Sequence, residues 1–362
     1  MPVICAFTPC THYPIVVENG HYARLPFYLK SQNLGHDALI ITNPVVWRLH
    51  GRALQAGLNR SRLTTTTLTV ADTERSKSAR CAMSLLERIA KIDLKKGIFL
   101  VAFGGGVVGD LAGYVAAVYK RGVPYIQIPT TLLAQIDSAI GGKVGIDLSV
   151  GKNLVGAFYQ PKLVYSDIAV LKTLGLRQIR NGLAEAVKYG VISDPRLFIF
   201  LERHYQDFLR CDSKVLETIV AWCSRIKAAV VARDEKETKG IRTILNFGHT
   251  VGHAIETAGH YSLYQHGEAI GLGMRIAVDI SRQLGYLSTP TLERIGRLLT
   301  NIGLPENIQR LKMDDILKAM AHDKKFKDGR NRLVLARGLG RVFVREDVPM
   351  NVIKKAILRA TA

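Results

Sequence analysis

Residues 97–118 read GIFLVAFGGGVVGDLAGYVAAV, and the order of residue types in this stretch decides the fold. Gly97 to Phe103 is a short apolar run, of the kind expected for a parallel strand buried on both faces. A glycine cluster follows at Gly104-Gly105-Gly106, with Gly109-Asp110 just beyond it, and Leu111, Val115 and Val118 then recur at helical spacing. Strand, glycine turn and helix in that order place free amides and a favourable dipole at a helix N-terminus. A pyrophosphate can approach there because no side chain intervenes. The spacing is not the six-residue dinucleotide fingerprint, so the cluster alone signals an anion-binding turn.

The same alternation extends outward on both sides. Residues 37–43 form a second apolar run, and residues 76–95 place Met83, Leu85, Leu86, Ile89 and Ile92 on one helical face as a crossover. Strand-like runs return at Tyr125–Pro129 and Leu163–Tyr165. The expectation is an α/β fold in which an N-terminal, Rossmann-like, mostly parallel sheet is covered by helices, with ligands at the strand C-termini. From about residue 176 helical patterns dominate, at 196–211, 214–233, 249–258, 266–285 and 290–302, with a small hairpin expected over Arg332–Val344. At roughly 100–200 residues per domain, 362 residues suggest two domains. They are expected to be 1–175, an α/β nucleotide-binding domain, and 176–362, a mainly helical metal- and substrate-binding domain.

Composition narrows the class. Hydrophobic residues at 48% and charged residues at 22% are those of a globular protein, not of a disordered chain. Five scattered cysteines form no close pairs, which fits a reducing cytoplasm better than a disulfide framework. The N-terminus lacks a signal-peptide pattern, and no apolar run reaches the roughly 18 residues of a membrane helix. Fifty Lys+Arg against thirty Asp+Glu give a net charge of +20. That charge by itself does not choose among nucleic acid, an anionic membrane surface and an acidic substrate. With no recognition helix, aromatic RNP-like strand or long basic run beside it, it reads as a cationic, solvated surface, and neither nucleic acid nor membrane is expected as partner. The candidate cations Lys188, Lys227, Arg242 and the Lys324-Lys325 pair point to an anionic small molecule.

The metal signal is Asn246-Phe247-Gly248-His249-Thr250-Val251-Gly252-His253-Ala254-Ile255-Glu256. Residues four apart share a helix face, so His249 and His253 can meet one site, and His266 can add a third contact. Two histidines and a carboxylate suit a divalent ion and leave positions open for substrate oxygens. Spacing leaves Glu185, Glu256 and Glu268 all open as the carboxylate. His21, His36, His50, His204 and His322 read as ordinary core or surface residues. An anion-binding set is spread over Gln127–Asp137, Gly141-Gly142-Lys143 and Gly151-Lys152-Asn153, with Lys188, Lys227, Arg242 and the Asp323-Lys324-Lys325 run as further cations. Asn43, Glu74 and Lys77 are candidates for a ribose or adenine edge, although each taken alone reads as a cap or surface residue.

Together, GGGVVGDLAGYVAAVYKRG, IPTTLLAQIDSAIGGKVGID with GKNLVGAFYQP, and LNFGHTVGHAIE closely resemble the 3-dehydroquinate synthase family of the sugar phosphate cyclases, over nearly the whole chain. The resemblance implies conversion of 3-deoxy-D-arabino-heptulosonate 7-phosphate into 3-dehydroquinate and phosphate, in the shikimate pathway. The steps would be oxidation at C5, phosphate elimination, ketone reduction, ring opening and aldol closure. NAD would be used and regenerated, and a zinc or cobalt ion would be bound.

The resemblance further implies that Glu185, His249 and His266 are the metal ligands, which leaves His253 for acid/base or phosphate work. It places Lys143, Asn153, Asn246, His253 and Lys325 around the phosphate, with Arg121 reaching in from the partner of a homodimer. Lys227 and Arg242 would meet the carboxylate, and Asp137 and Lys188 the reacting hydroxyls. NAD would be contacted by Asn43, Glu74, Lys77, Gly105, Gly106, Asp110, Thr130, Thr131, Lys152 and Thr173. This chain departs from the usual family pattern at Ala139 (commonly serine), at Asp147 (commonly asparagine) and at Asp72-Thr73-Glu74 (commonly Asp-Gly-Glu), and none of these departures removes a proposed ligand. The rival readings are a cyclase making a cyclitol and a glycerol-dehydrogenase-like oxidoreductase. Lys227 and Arg242 favour a carboxylated substrate, because buried cations without a partner are costly.

Overall fold

The structure is a computed structural model that describes residues 2–8, 12–32, 34–92, 97–321 and 331–361. The chain folds as two compact units, Met1–Gly175 with Ser213–Lys236, and Leu176–Asp212 with Glu237–Ala362.

A seven-stranded sheet forms the first unit. Its strands are β1 (Val3–Phe7), β2 (His12–Glu18), β3 (Asp37–Thr42), β4 (Thr64–Thr69), β5 (Ile98–Gly104), β6 (Tyr125–Pro129) and, after the hairpin of β7 (Lys143–Leu148) and β8 (Gly151–Phe158), β9 (Val164–Asp167). The order is β1-β2-β9-β6-β5-β3-β4, parallel throughout except that β1 runs antiparallel to β2. Every residue of β3 and of β5 is buried, which is why their sequences lack alternation. Helices α1 (Leu25–Lys30), α2 (Pro44–Asn59), α3 (Ala79–Ile92) and α4 (Gly106–Val118) connect the strands. The apolar sides of α3 and α4 pack with β3, β5 and β7 in one core through Leu85, Ile89, Leu111, Val115, Leu100 and Val144.

Three features of this unit differ from the sequence expectation. The crossover helix starts at Ala79 rather than at residue 76, because a 3₁₀ turn at Glu74–Ser76 precedes it. The glycine-lysine segments after residue 140, to which the sequence pattern assigns no element, lead into the β7–β8 hairpin, so Lys143 and Lys152 are carried on strands. β4, with the sequence TTTTLT, is an edge strand whose polar run hides it from a hydrophobicity pattern.

The second unit is mainly helical. It contains α5 (Leu176–Ile192), α6 (Pro195–Leu209), α8 (His249–Ala258), α9 (His266–Gln283), α10 (Thr289–Ile302), α11 (Met313–Ala321) and α12 (Met350–Thr361), with the hairpin of β10 (Arg332–Gly338) and β11 (Arg341–Glu346). Its core joins Val251 and Ile255 of α8, Leu272, Ile276 and Ile280 of α9, Leu335 of β10, and Ile353 and Ile357 of α12. The helix between α6 and α8, α7 (Ser213–Arg233), belongs to the first unit and packs against β1 and β2. Its apolar face, Leu216, Ile219, Val220, Cys223 and Ile226, supplies the reason: it covers that end of the sheet.

Candidate metal centre and anion-binding residues

Three helices of the second unit converge on one point. Glu185 lies in the middle of α5, with neighbours buried on every side of the helix there. His249 opens α8 and His266 opens α9, so both imidazoles stand at helix N-termini. The carboxylate Oε1 of Glu185 is 3.4 Å from His249 Nε2 and 3.4 Å from His266 Nε2. One ligand atom from each of the three lies within 4.8 Å of the others.

Backbone contact holds the helices this close. Gly248 enters α8 with φ +76°, a conformation that favours glycine, and its carbonyl oxygen abuts Gly273 of α9. A Cβ on Gly273 would overlap that oxygen and lie 2.8 Å from the Gly252 nitrogen. The start of α9 is pinned to α5 in the same manner, since Gly267 lies against the Asn181 backbone and its N–H donates to the Asn181 side chain. Asn181, one helical turn before Glu185, was not singled out in the sequence. Its only signal there is the four-residue offset.

The carboxylates that spacing left open separate clearly. Glu268 caps α9, accepting from the Gln265 N–H at 2.8 Å and binding the Arg177 guanidinium through two hydrogen bonds of 2.7 Å. Glu256 faces the other nitrogen of His266, with Oε1 at 3.4 Å from Nδ1. Glu185 alone faces both histidines. It is fully buried and ion-paired with Lys188, yet its Oε1 has no hydrogen-bond partner among the described residues. A buried carboxylate oxygen without a donor, with two imidazole nitrogens turned toward it, fits a divalent cation.

The protonation of the set supports the same fit. Burial works against charge on His266, but the carboxylates of Glu185 and Glu256 beside it outweigh it and push its pKa up to about 10. The two carboxylates thus favour positive charge at this point, which a bound divalent ion would supply. His249 Nδ1 lies 3.0 Å from the Phe247 carbonyl oxygen, so that carbonyl accepts the ring N–H and Nε2 is left as the donor atom to a metal. His253 is half-buried on α8, with ring centroids 5.3 Å from His249 and 6.1 Å from His266. Arg242 is buried in a 3₁₀ turn, Ile241–Asn246, that ends at Asn246. Lys324 and Lys325 lie outside the described residues.

The first unit gathers a second group. Lys77, buried, donates to Asp110 Oδ2 at 2.8 Å and to Asn153 Oδ1 at 2.5 Å, and has Asp147 at 3.9 Å and Glu74 at 4.0 Å. Burial opposes its charge, but these carboxylates more than offset that and raise its pKa. Lys152 reaches Glu74 at 3.2 Å. Glu74, Lys77, Asp110, Lys152 and Asn153, which are far apart in sequence, thus meet beside the N-terminus of α4. There Gly105 is the N-cap and offers no side-chain bond to the first-turn amides of Gly106 and its neighbours. Asp147 was noted only as a departure. It holds Asn153 at φ +54° by accepting its N–H at 2.7 Å.

Other candidates have structural duties. Asn43 caps α2, accepting from the Val46 N–H and donating to Asp72, both at 2.8 Å. Thr173 bonds to His50 Nε2 at 2.9 Å, so His50, read as ordinary, positions it. The Thr130 N–H donates to the Gly104 carbonyl, and Thr131 Oγ1 accepts from Ala134. Lys227 of α7 donates to the Asp137 carbonyl at 2.7 Å and pairs with its carboxylate. Its charge is therefore met within the protein, which removes it from the reasoning that an unpaired Lys227 selects a carboxylated substrate. Lys143 is exposed at the start of β7, and Arg121 lies in an exposed turn at φ +66°.

A mostly parallel sheet unit followed by a mainly helical unit is an architecture this chain shares with solved sugar phosphate cyclases. The structure matches 2-deoxy-scyllo-inosose synthase, solved with carbaglucose-6-phosphate, NAD+ and Co2+, at a TM-score of 0.89 and 25% identity over 99% of this chain and 100% of that one. It matches 2-epi-5-epi-valiolone synthase from Streptomyces hygroscopicus subsp. jinggangensis, with NAD+ and Zn2+ bound, at 0.88 and 27% over 96% of each chain. Within that class the chain belongs to the 3-dehydroquinate synthase family. Residues 67–181 match its N-terminal family model and 182–326 its C-terminal one. The 3-dehydroquinate synthase of Desulforamulus reducens is 44% identical over 93% of this chain and 94% of its own length.

Proposed function

We propose that the chain converts 3-deoxy-D-arabino-heptulosonate 7-phosphate into 3-dehydroquinate and phosphate, using NAD catalytically and a zinc or cobalt ion. The observation that carries the reading is the buried Glu185 carboxylate oxygen facing His249 and His266, with no hydrogen-bond donor among the described residues, in a chain 44% identical to a 3-dehydroquinate synthase. When bound, the ion supplies Lewis-acid polarisation of a hydroxyl and then of a carbonyl, and NAD a hydride acceptor that returns what it takes.

The protein groups have the following parts. Lys188, buried beside Glu185, holds or delivers a proton at the reacting hydroxyl, and Asp137 with Lys227 orients another. Lys143, Asn153, Asn246, His253 and Lys325 receive the phosphate. Arg242 receives the carboxylate, to which a guanidinium presents two parallel N–H donors. Asn43, Glu74, Lys77, Gly105, Gly106, Asp110, Thr130, Thr131, Lys152 and Thr173 form the NAD face. Oxidation makes the neighbouring C–H acidic, so phosphate leaves without a strong protein base. A homodimer in which Arg121 serves the partner's phosphate site, and a cytoplasmic location, complete the reading. No helix among the described residues is long and apolar enough to cross a membrane.

Phosphate release from the heptulosonate phosphate, with NADH absorbance followed in parallel, tests this. Turnover is expected to stop on chelation, to return with zinc or cobalt, and to leave no NADH. Net NADH would instead mark a dehydrogenase, and glucose 6-phosphate as the better substrate would mark a cyclitol-forming cyclase. In the first unit, Lys77→Met is expected to weaken NAD binding about 10- to 100-fold, since hydrogen bonds to charged groups contribute about 1.5–3 kcal/mol. Metal content should not change, and calorimetry with the metal-loaded protein checks both. Unchanged NAD affinity would remove Lys77 from the site.

A further inference from the structure

The metal reading leaves the second nitrogen of each histidine to be accounted for, and the two are treated differently. His249 Nδ1 meets a peptide carbonyl, that of Phe247, at 3.0 Å. His266 Nδ1 meets a carboxylate, Glu256 Oε1, at 3.4 Å. Glu256 is buried near the C-terminal end of α8, seven residues after His249 and three after His253, so the three share one face of that helix. His253, Glu256 and His266 also have ligand atoms within 4.8 Å of one another, and could be read as a separate site. The chemistry of the shared ring decides between the two readings. A His266 whose Nε2 is turned to Glu185 and a metal ion keeps its proton on Nδ1, and Nδ1–H is a donor that needs an acceptor.

We infer that Glu256 is a positioning residue of the metal centre, whose carboxylate accepts the His266 Nδ1–H, fixes the ring and directs Nε2 at the ion. This rests on the assignment of Glu185, His249 and His266 as ligands. A carboxylate in this role also raises the basicity of the ligating nitrogen, which a peptide carbonyl does less. One histidine is therefore aimed by the backbone fold and the other by an ionisable side chain that a single substitution removes.

The test uses full-length protein stripped of metal and titrated with cobalt against a competing chelator, with the cobalt visible spectrum recorded. Wild type is expected to bind one equivalent. Glu256→Gln, equal in shape but uncharged, should bind about 10-fold more weakly, and Glu256→Ala about 10- to 100-fold more weakly, with an altered cobalt spectrum. Glu256→Asp should recover part of the loss. Wild-type affinity and spectrum in Glu256→Gln would overturn the assignment, as would a second cobalt equivalent in wild type that Glu256→Gln abolishes, since Glu256 would then be a ligand. Histidine-selective nitrogen NMR of zinc-loaded wild type is independent of how the variants fold. His266 with Nε2 on the metal and a protonated Nδ1 is expected, and metal on Nδ1 would refute it. Failure of the ligand assignment itself reads differently: His249→Ala would then bind cobalt as wild type does.

Discussion

Glu185→Gln is expected to reduce phosphate release by about a thousandfold or more and to abolish tight cobalt binding. Losing about 4 kcal/mol of Lewis-acid stabilisation corresponds to that factor. The glutamine keeps the volume of the side chain, so the pocket remains, but the carboxylate that faces both histidines becomes neutral. The metal-free variant should also be less stable by about 3 kcal/mol. Lys188, 1% exposed, loses the carboxylate that neutralises it, and breaking one side of a buried pair leaves a desolvated charge. Turnover, cobalt titration and the thermal midpoint of the stripped protein check the three consequences separately. A variant that binds cobalt as wild type does would sink the assignment of Glu185.

Gly273→Ala, one methyl group placed away from any ligand, should be nearly as damaging. The added carbon would overlap the Gly248 carbonyl oxygen, and both neighbours it meets first are main chain, so no side chain can rotate out of the way. α8 and α9 must part, at a cost of about 3 kcal/mol for overpacking of this kind. That is a fall in thermal midpoint of about 6–12 °C for a unit of this size. Because His249 and His266 start those two helices, the parting also separates the ligands, and cobalt affinity should fall with stability. A midpoint and affinity equal to wild type would show that the crossing is looser than its geometry.

Where hydrophobic patterns are strong, the fold was legible in the chain. β3, β5 and β6 and the helices α6 to α10 lie within a few residues of their expected places, because buried parallel strands and amphipathic helices each leave a period. α5 was not marked as a helix although it carries Glu185. It is buried all round from Asn181 to Ile192, and an element buried on every side has no polar face to create a period. β4 was lost for the opposite reason, being almost wholly polar. In the site, the HxxxH spacing brought His249 and His253 forward together, whereas the geometry sets His253 outside the group that faces Glu185 and brings in His266 from the next helix. A choice among Glu185, Glu256 and Glu268 could not be made from spacing. It depends on the α5–α8–α9 crossings, and these are set by contacts of Gly248, Gly267 and Gly273 that resemble any other glycine in a sequence.

α7 bears on how the molecule is made. The chain leaves the sheet unit at Gly175, returns to it at Ser213 and departs again at Lys236. On a ribosome, the apolar side of β1 and β2 emerges about two hundred residues before the helix that covers it, and Lys227 follows 90 residues after Asp137, which it meets. No contiguous fragment ending at residue 175 holds a finished sheet unit. A gene cut there would yield two proteins, the first missing a helix of its own unit and the second carrying it.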